Sequence, residues 1–151
     1  MSMRLPDAPY GLVIRTNRTD NDAWETVVGL IHAGIAELAE LYPGQEPHPL
    51  LTFVDDPGFY ELSPDQARVL IDEDQDWEQH GTVFLADFET MTAPGRTLLA
   101  VTGHSGDDDA GARWYFRLRP AAVGQVHLAL STKMSFAEFV EDVGDDGVYR
   151  Y

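Results

Sequence analysis

The segment from residue 113 to residue 119 concentrates the side chains best suited to binding an anion. Its residues alternate in type, which predicts a strand with an apolar side (Trp114, Phe116 and Leu118) and a polar side (Arg113, Tyr115, Arg117 and Arg119). Arginines arranged in this way could hold a phosphate or a carboxylate through bidentate hydrogen bonds. Alternatively, they pair with the chain's own carboxylates across the sheet. We favour the second interpretation, because the chain carries a large surplus of acids.

A second group with possible chemistry consists of aspartates that follow predicted strands. Asp55 and Asp56 come directly after the apolar run 50–54, and Asp87 follows the apolar run 83–86. Open α/β sheets place their sites at strand ends, so these carboxylates could meet there and bind magnesium or act as an acid and a base. The simpler interpretation is local: Asp55 belongs to a turn ahead of a Pro-Gly pair, and Asp87 caps the segment after its strand.

His104 and Ser105 lie together in the stretch 102–106, and His104 is a possible ligand-binding residue. A serine hydrolase would need its serine on a sharp turn between a strand and a helix, and no helix is predicted after Ser105. The five histidines lack the short spacings of a histidine metal site, and a chain without cysteine has no thiolate ligand. We therefore expect no metal and no cofactor.

Asp72, Asp74 and Asp76 imitate the start of a calcium-binding loop. That loop needs glycine at its sixth position and glutamate at its twelfth, where this chain has Trp77 and Val83. The stretch therefore predicts a solvated acidic loop instead of a calcium site.

Net charge is the strongest constraint on the partners of this protein. The chain has 26 Asp and Glu but only 10 Lys and Arg, a net charge of -16 in 151 residues. A surface this negative repels nucleic acid phosphates and anionic lipid, and it favours basic partners. We expect a basic protein as the partner, and neither nucleic acid nor a membrane. No stretch resembles a membrane span or a signal peptide, so we expect a cytoplasmic protein, with its oligomeric state left open.

Two classes of function remain. The first is a non-enzymatic interaction protein, accessory or immunity-like, whose acidic surface docks on a basic partner by electrostatic steering. The alternative is a small-molecule binder or enzyme that uses the arginine-rich face together with Asp55, Asp56, Asp87 or His104. Charge and the lack of a catalytic motif favour the first class. Unpaired arginines lining a concave pocket would favour the second.

Apolar periodicity and helix caps predict an α/β or α+β fold in a single domain, residues 1–151. The predicted strands cover residues 12–14, 50–54, 83–86, 98–101, 113–119 and 126–130, and the predicted helices cover residues 19–42, 63–71 and 135–143. Thr19 is the expected cap of the first helix, and capping boxes are expected at Ser63 with Gln66 and at Ser135 with Glu138. An apolar stripe that includes Phe139 should pack the last helix into the core, and the run 83–86, which lacks polar alternation, should be covered on both faces. A loop is expected at 91–96. We therefore expect one mixed sheet of about five to six strands, covered by two to three helices.

Three stretches resemble the recurring blocks of a known family: FVDDPGFYELSPDQ (53–66), VFLADFETMTAPGRTLLAV (83–101) and LSTKMSFAEFVEDVGDDGVYRY (130–151). The opening VIRTNRTDNDAW is similar to the start of that family. Its members are small acidic actinobacterial proteins described only as a domain of unknown function. The resemblance spans most of the chain, although the first helix and the stretches 45–49 and 103–111 look expanded here. It implies an actinobacterial origin and a single domain, and it carries over no catalytic residues.

Overall fold

Six strands and five α-helices make up the part of the chain that the structure describes. The computed structural model describes residues 11–41, 51–73, 82–103, 114–132, 136–143 and 147–149. The strands are β1 (Gly11–Arg15), β2 (Leu51–Val54), β3 (Thr82–Ala86), β4 (Leu98–Thr102), β5 (Tyr115–Leu118) and β6 (Val148–Tyr149). The helices are α1 (Asn21–Leu41), α2 (Pro64–Glu73), α3 (Phe88–Thr92), α4 (Val123–Thr132) and α5 (Phe136–Glu141). Short 3₁₀ segments cover Pro57–Phe59 and Pro120–Ala122.

All six strands belong to one mixed sheet in the order β2-β1-β3-β4-β5-β6. β1 is parallel to β2 and β3, β4 is antiparallel to both of its neighbours, and β6 is parallel to β5. The prediction of a mixed sheet with five to six strands is confirmed. The chain leaves β1 through α1 to reach β2, and it crosses back through α2 to reach β3 on the other side of β1. The connection that leaves β1 therefore runs towards β2, whereas the connection that leaves β3 runs towards β4, so these two diverge between β1 and β3.

The sheet is covered on both faces, and β3 lies near its centre. The run 83–86 is at most 1% exposed, which confirms the expectation that a strand without polar alternation is buried on both sides. Phe84 packs in one core with residues of α1, α4 and α5. Leu85 packs in a second core with residues of α2 and the first 3₁₀ segment. Among the described residues there are thus two apolar clusters, one on each face of the sheet.

Local capping signals position two of the helices. At the start of α2, the Gln66 backbone N–H donates to the Ser63 hydroxyl at 3.1 Å, and the Ser63 N–H donates to the Gln66 side chain at 2.9 Å. This reciprocal pair is the capping box that the sequence predicts. The cap of α1 is one residue later than predicted, because Asp20, instead of Thr19, accepts the N–H of Ala23 at 3.1 Å.

Two stretches adopt a structure that differs from the predicted one. Residues 126–130 form part of α4, so the prediction of a strand there is wrong. A short apolar run fits either element, and here the core-facing residues Val123, Val126 and Leu130 follow helical spacing. The prediction of a loop at 91–96 is also wrong in part, because Met91 lies in α3. These differences raise the number of α-helices to five.

Trp114 is a further correction. The prediction that it shares a side of the strand with Phe116 and Leu118 is wrong, because Trp114 lies in a bend before β5 begins. It packs against the core beneath α2, and the guanidinium carbon of Arg68 lies 4.9 Å from its ring centroid. Phe116 and Leu118 are buried on the opposite face, as predicted.

The last helix docks on the sheet as its apolar stripe predicts. Phe139 of α5 is 2% exposed, and Val140 and Val143 pack against the same core. The Phe139 ring lies 6.1 Å from the ring of Phe116 and 5.2 Å from that of Tyr149. The predicted cap at residue 135 and the side chain of residue 136 lie outside the described residues.

Candidate functional site

The candidate site lies at the edge of the sheet where β1, β2, β3 and β5 end. β5 runs in the same direction as β3, since each is antiparallel to β4. The register pairs Ile14 with Val54, so the next residues, Arg15 and Asp55, are neighbours across two strands. Open sheets with parallel strands bind ligands at this edge, at the point where the chain connections diverge.

Arg117 and Asp87 form the most extensively bonded ion pair of this edge. The Arg117 Nη2 atom lies 2.6 Å from Asp87 Oδ2, and Nη1 lies 3.2 Å from Asp87 Oδ1. Arg117 Nε also lies 3.0 Å from Glu89 Oε2, and Nη1 donates to the Thr97 carbonyl at 3.2 Å. All three guanidinium nitrogens therefore have acceptors. The prediction that this arginine pairs with the chain's own carboxylates is confirmed.

Asp87 also organises the helix that follows β3. Its Oδ1 accepts the backbone N–H of Thr90 at 3.1 Å, and the Thr90 hydroxyl accepts the N–H of Asp87 at 3.0 Å. This capping box makes Asp87 the cap of α3, so its predicted local role is confirmed. One carboxylate thus joins the start of α3 to β5 through Arg117.

Arg15 is the least expected residue of the site, because it is a charged side chain only 1% exposed. Its Nε donates to the Asn17 carbonyl at 2.9 Å, and its Nη1 lies 3.3 Å from Asp55 Oδ2. Its guanidinium carbon lies 6.0 Å from the ring centroid of Trp24 and 5.6 Å from that of Tyr60. Arg15 therefore has two aromatic rings and a carboxylate close to its guanidinium group.

The segment after β2 places Tyr60 over Arg15. Glu61 has a left-handed backbone with φ 70°, and its N–H donates to the Thr16 carbonyl at 2.6 Å. The Tyr60 hydroxyl donates to Asp55 Oδ1 at 2.6 Å. That hydrogen bond raises the pKa of Tyr60 above 10.0, while the charges of Arg15 and Arg18 act in the opposite sense. The pKa of Tyr60 thus depends on Arg15, Arg18 and Asp55.

The other predicted residues that the structure describes are not part of either ion pair. Asp56 accepts the N–H of Gly58 at 2.9 Å and caps the first 3₁₀ segment, which is the turn chemistry predicted for this stretch. Tyr115 is exposed on β5, on the same face as Arg117, and Arg119 is exposed beyond the end of that strand. The predicted Arg113 and His104 lie outside the described residues, and so does most of the predicted acidic loop at 72–79.

The three predicted aspartates do not form one cluster. Asp55 pairs with Arg15, whereas Asp87 pairs with Arg117. Within the described ranges, no three His, Asp or Glu side chains are placed to hold a metal ion. The chemical capacity of the edge is therefore that of arginines with carboxylate partners, which bind anions or stabilise the fold.

Sequence reasoning did not single out Arg15 or Tyr60. The sequence did contain a signal for Arg15, because this charged residue directly follows the apolar run 12–14. A residue that continues such a strand in a sheet covered on both faces is expected to be buried. The contact of Arg15 with Tyr60 joins segments 45 residues apart in the chain, so it depends on the fold and not on any local motif.

The fold and this edge define an α+β protein whose described residues form a six-stranded mixed sheet with two arginine–carboxylate pairs at its carboxyl edge. The chain belongs to the family described as domain of unknown function DUF6924, whose model matches residues 10–151. No curated protein and no solved structure matches it. Among the described helices, none has the length and apolar character needed to cross a membrane.

Proposed function

We propose that this protein is a non-enzymatic, cytoplasmic interaction protein of one domain, accessory or immunity-like, that docks on a basic protein through its acidic surface. The net charge of -16 supports this proposal, because it accelerates encounter with a basic partner by electrostatic steering. The same charge disfavours nucleic acid and anionic membranes as partners. An actinobacterial source fits the family resemblance and stays a prediction.

The outer face of α1 is the surface that carries the proposal. This helix has 21 residues, which corresponds to a length of about 30 Å. It contains no Lys or Arg, and its four acids are all exposed: Asp22, Glu25, Glu37 and Glu40. Leu30, between the acidic ends, is 41% exposed. A basic partner with an apolar centre would match this distribution of charge and apolar surface.

The alternative is an anionic-ligand site or an enzyme built on Arg113, Arg117 and Arg119 with strand-end aspartates and His104. That function needs arginines whose donors are available to a ligand. The guanidinium nitrogens of Arg117 already contact Asp87, Glu89 and a backbone carbonyl. This arrangement supports an interaction protein over the alternative.

The proposal is tested by reversing charge on α1 and at a matched position elsewhere. Glu25→Lys/Glu37→Lys changes the net charge by four, and Glu61→Lys/Glu141→Lys changes it equally at exposed positions outside α1. Tagged wild-type and variant proteins are used to capture partners from the native cell, and the captured proteins are identified by mass spectrometry.

We expect the wild-type protein to capture a specific protein of high isoelectric point, with less captured as salt increases. The α1 variant should lose this partner, whereas the matched variant should keep it. Equal loss with both variants would mean that only net charge matters, and capture of no basic protein would contradict the proposal.

A further inference from the structure

Arg15 is an almost completely buried cation whose hydrogen bonding is incomplete. Its Nε and Nη1 atoms have acceptors, but its Nη2 atom is buried and has no hydrogen-bond partner in the described part of the chain. The contact from Nη1 to Asp55 is long, at 3.3 Å. Buried donors in native proteins are nearly always satisfied, so an unsatisfied guanidinium nitrogen needs an explanation.

The surroundings of Arg15 are those of a binding site at the protein surface. The ring centroids of Trp24 and Tyr60 lie 6.0 Å and 5.6 Å from the guanidinium carbon, which is almost completely buried. Asp55 is 42% exposed at its side chain, so the cluster opens to solvent on the Asp55 side. A ligand that approaches there would meet Asp55 and Tyr60 first and the guanidinium group behind them.

Arg18 is a second cation close to the Arg15 cluster. Arg18 is exposed and forms no ion pair with any described residue. It acts on Tyr60 together with Arg15, and Asp55 is the carboxylate that opposes them there. Arg18 is therefore a second cation beside Tyr60, and it would add to the attraction of Arg15 for a small anion.

We propose that Arg15 is the principal contact of an oxyanion site, for a small molecule with a phosphate or carboxylate group, between the end of β1 and the segment 57–62. The site lies at the carboxyl end of β1, beside the point where the connections that leave β1 and β3 diverge, and open sheets of this kind bind ligands there. Two oxygens of the anion would accept from Nη1 and Nη2, in place of the long contact to Asp55. This site goes beyond the proposed function, because it uses a buried arginine and not the acidic surface.

Asp55 is the internal competitor of the proposed anion, and replacing it gives the sharpest test. Asp55→Asn leaves Arg15 without its carboxylate, which should destabilise the protein and open the site to an external oxyanion. The matched control is Glu89→Gln, which changes the net charge equally and removes a carboxylate from the other arginine. Because Arg117 keeps Asp87, this control should create no new anion site.

Sodium phosphate and sodium acetate are each compared with sodium chloride at equal ionic strength, because any salt screens the charge of this protein. Melting temperature and NMR shifts of backbone amides and of the Trp24 indole are followed for the wild type and both variants. We expect phosphate or acetate to shift residues 15–24 and 55–62 more than chloride does. Affinity should rise about tenfold or more in Asp55→Asn, with a specific rise in its melting temperature.

Comparing phosphate with acetate identifies the class of ligand. A phosphate site should have a much higher affinity for phosphate than for acetate, and a carboxylate site should show the reverse. Arg18→Ala provides a second variant that does not disturb the buried cluster, and it should weaken anion binding several-fold. If both anions behave as chloride does in the wild type and in Asp55→Asn, the proposal is overturned. An equal gain in Glu89→Gln would also overturn it, because the effect would then be one of net charge alone.

Discussion

Replacing Arg117 by alanine should destabilise this protein through the loss of one partly buried charge network. The Arg117 side chain is 19% exposed and Asp87 is 25% exposed, whereas Glu89 is 52% exposed. Exposed pairs contribute about 0.2–1 kcal/mol, and breaking a fully buried pair costs about 3–5 kcal/mol. Arg117 lies between these limits, so Arg117→Ala should cost about 2–3 kcal/mol.

The two carboxylates that share Arg117 should contribute unequally. Glu89→Gln should cost at most about 0.5 kcal/mol, because this carboxylate is mostly solvated. Asp87→Ala should cost about 1 kcal/mol more than Arg117→Ala, since Asp87 also caps α3. In double-mutant cycles, the coupling of Arg117 with Asp87 should exceed its coupling with Glu89 several-fold.

Urea unfolding is the suitable assay, because guanidinium chloride would screen the charges being measured. Arg18→Ala is the control, since it removes an exposed arginine that has no ion-pair partner among the described residues, and it should change stability by less than about 0.5 kcal/mol. The reasoning would be refuted by a cost below about 0.5 kcal/mol for Arg117→Ala, or by equal coupling to both carboxylates.

Three further measurements test the core, the net charge and a buried histidine. Phe139→Ala should cost about 3–5 kcal/mol in urea unfolding, and a cost below about 1 kcal/mol would mean that α5 is not docked. The melting temperature should rise from low to high sodium chloride as self-repulsion is screened, and a flat or falling profile would mean that attractive pairs dominate. Burial lowers the pKa of His127 below its usual 6.5, so its neutral form is stabilising above that pH. The stability that His127 contributes should therefore be lost as the pH falls from 7 to 5. His127→Gln should show less of this loss than the exposed control His32→Gln, and equal pH dependence would contradict this assignment.

Elements with a strong local signal could be predicted from the sequence. The run 83–86 has no polar residue to place towards water, so a strand covered on both faces was the natural expectation and β3 is that strand. The capping box of Ser63 and Gln66 involves residues three positions apart, so its geometry depends little on the rest of the fold. The arginine of β5 could likewise be assigned to internal pairing, because the surplus of acids made an unpaired Arg117 costly.

Elements that depend on tertiary packing could not be predicted in the same way. The run 126–130 is short and apolar, which suits a strand as well as a helix, and only its packing against α1 and the sheet selects α4. The position of Arg15 depends on the parallel register of β1 and β2, which brings it beside Asp55, 40 residues later in the chain. Hydrophobic periodicity and amino-acid composition carry no information about which residues of two strands are paired.

The two arginines of the carboxyl edge differ in a way that a purely structural role does not explain. If both were present only to stabilise the fold, the more deeply buried one should be the better satisfied, because burial makes an unmet donor more costly. The opposite is observed: Arg117 is partly exposed and all three of its guanidinium nitrogens have acceptors, whereas Arg15 is fully buried and has a nitrogen without one. This difference is why we assign Arg117 to a structural ion pair and Arg15 to the proposed oxyanion site. It is also why Asp55→Asn and Glu89→Gln, equal in charge, should respond differently to an added oxyanion.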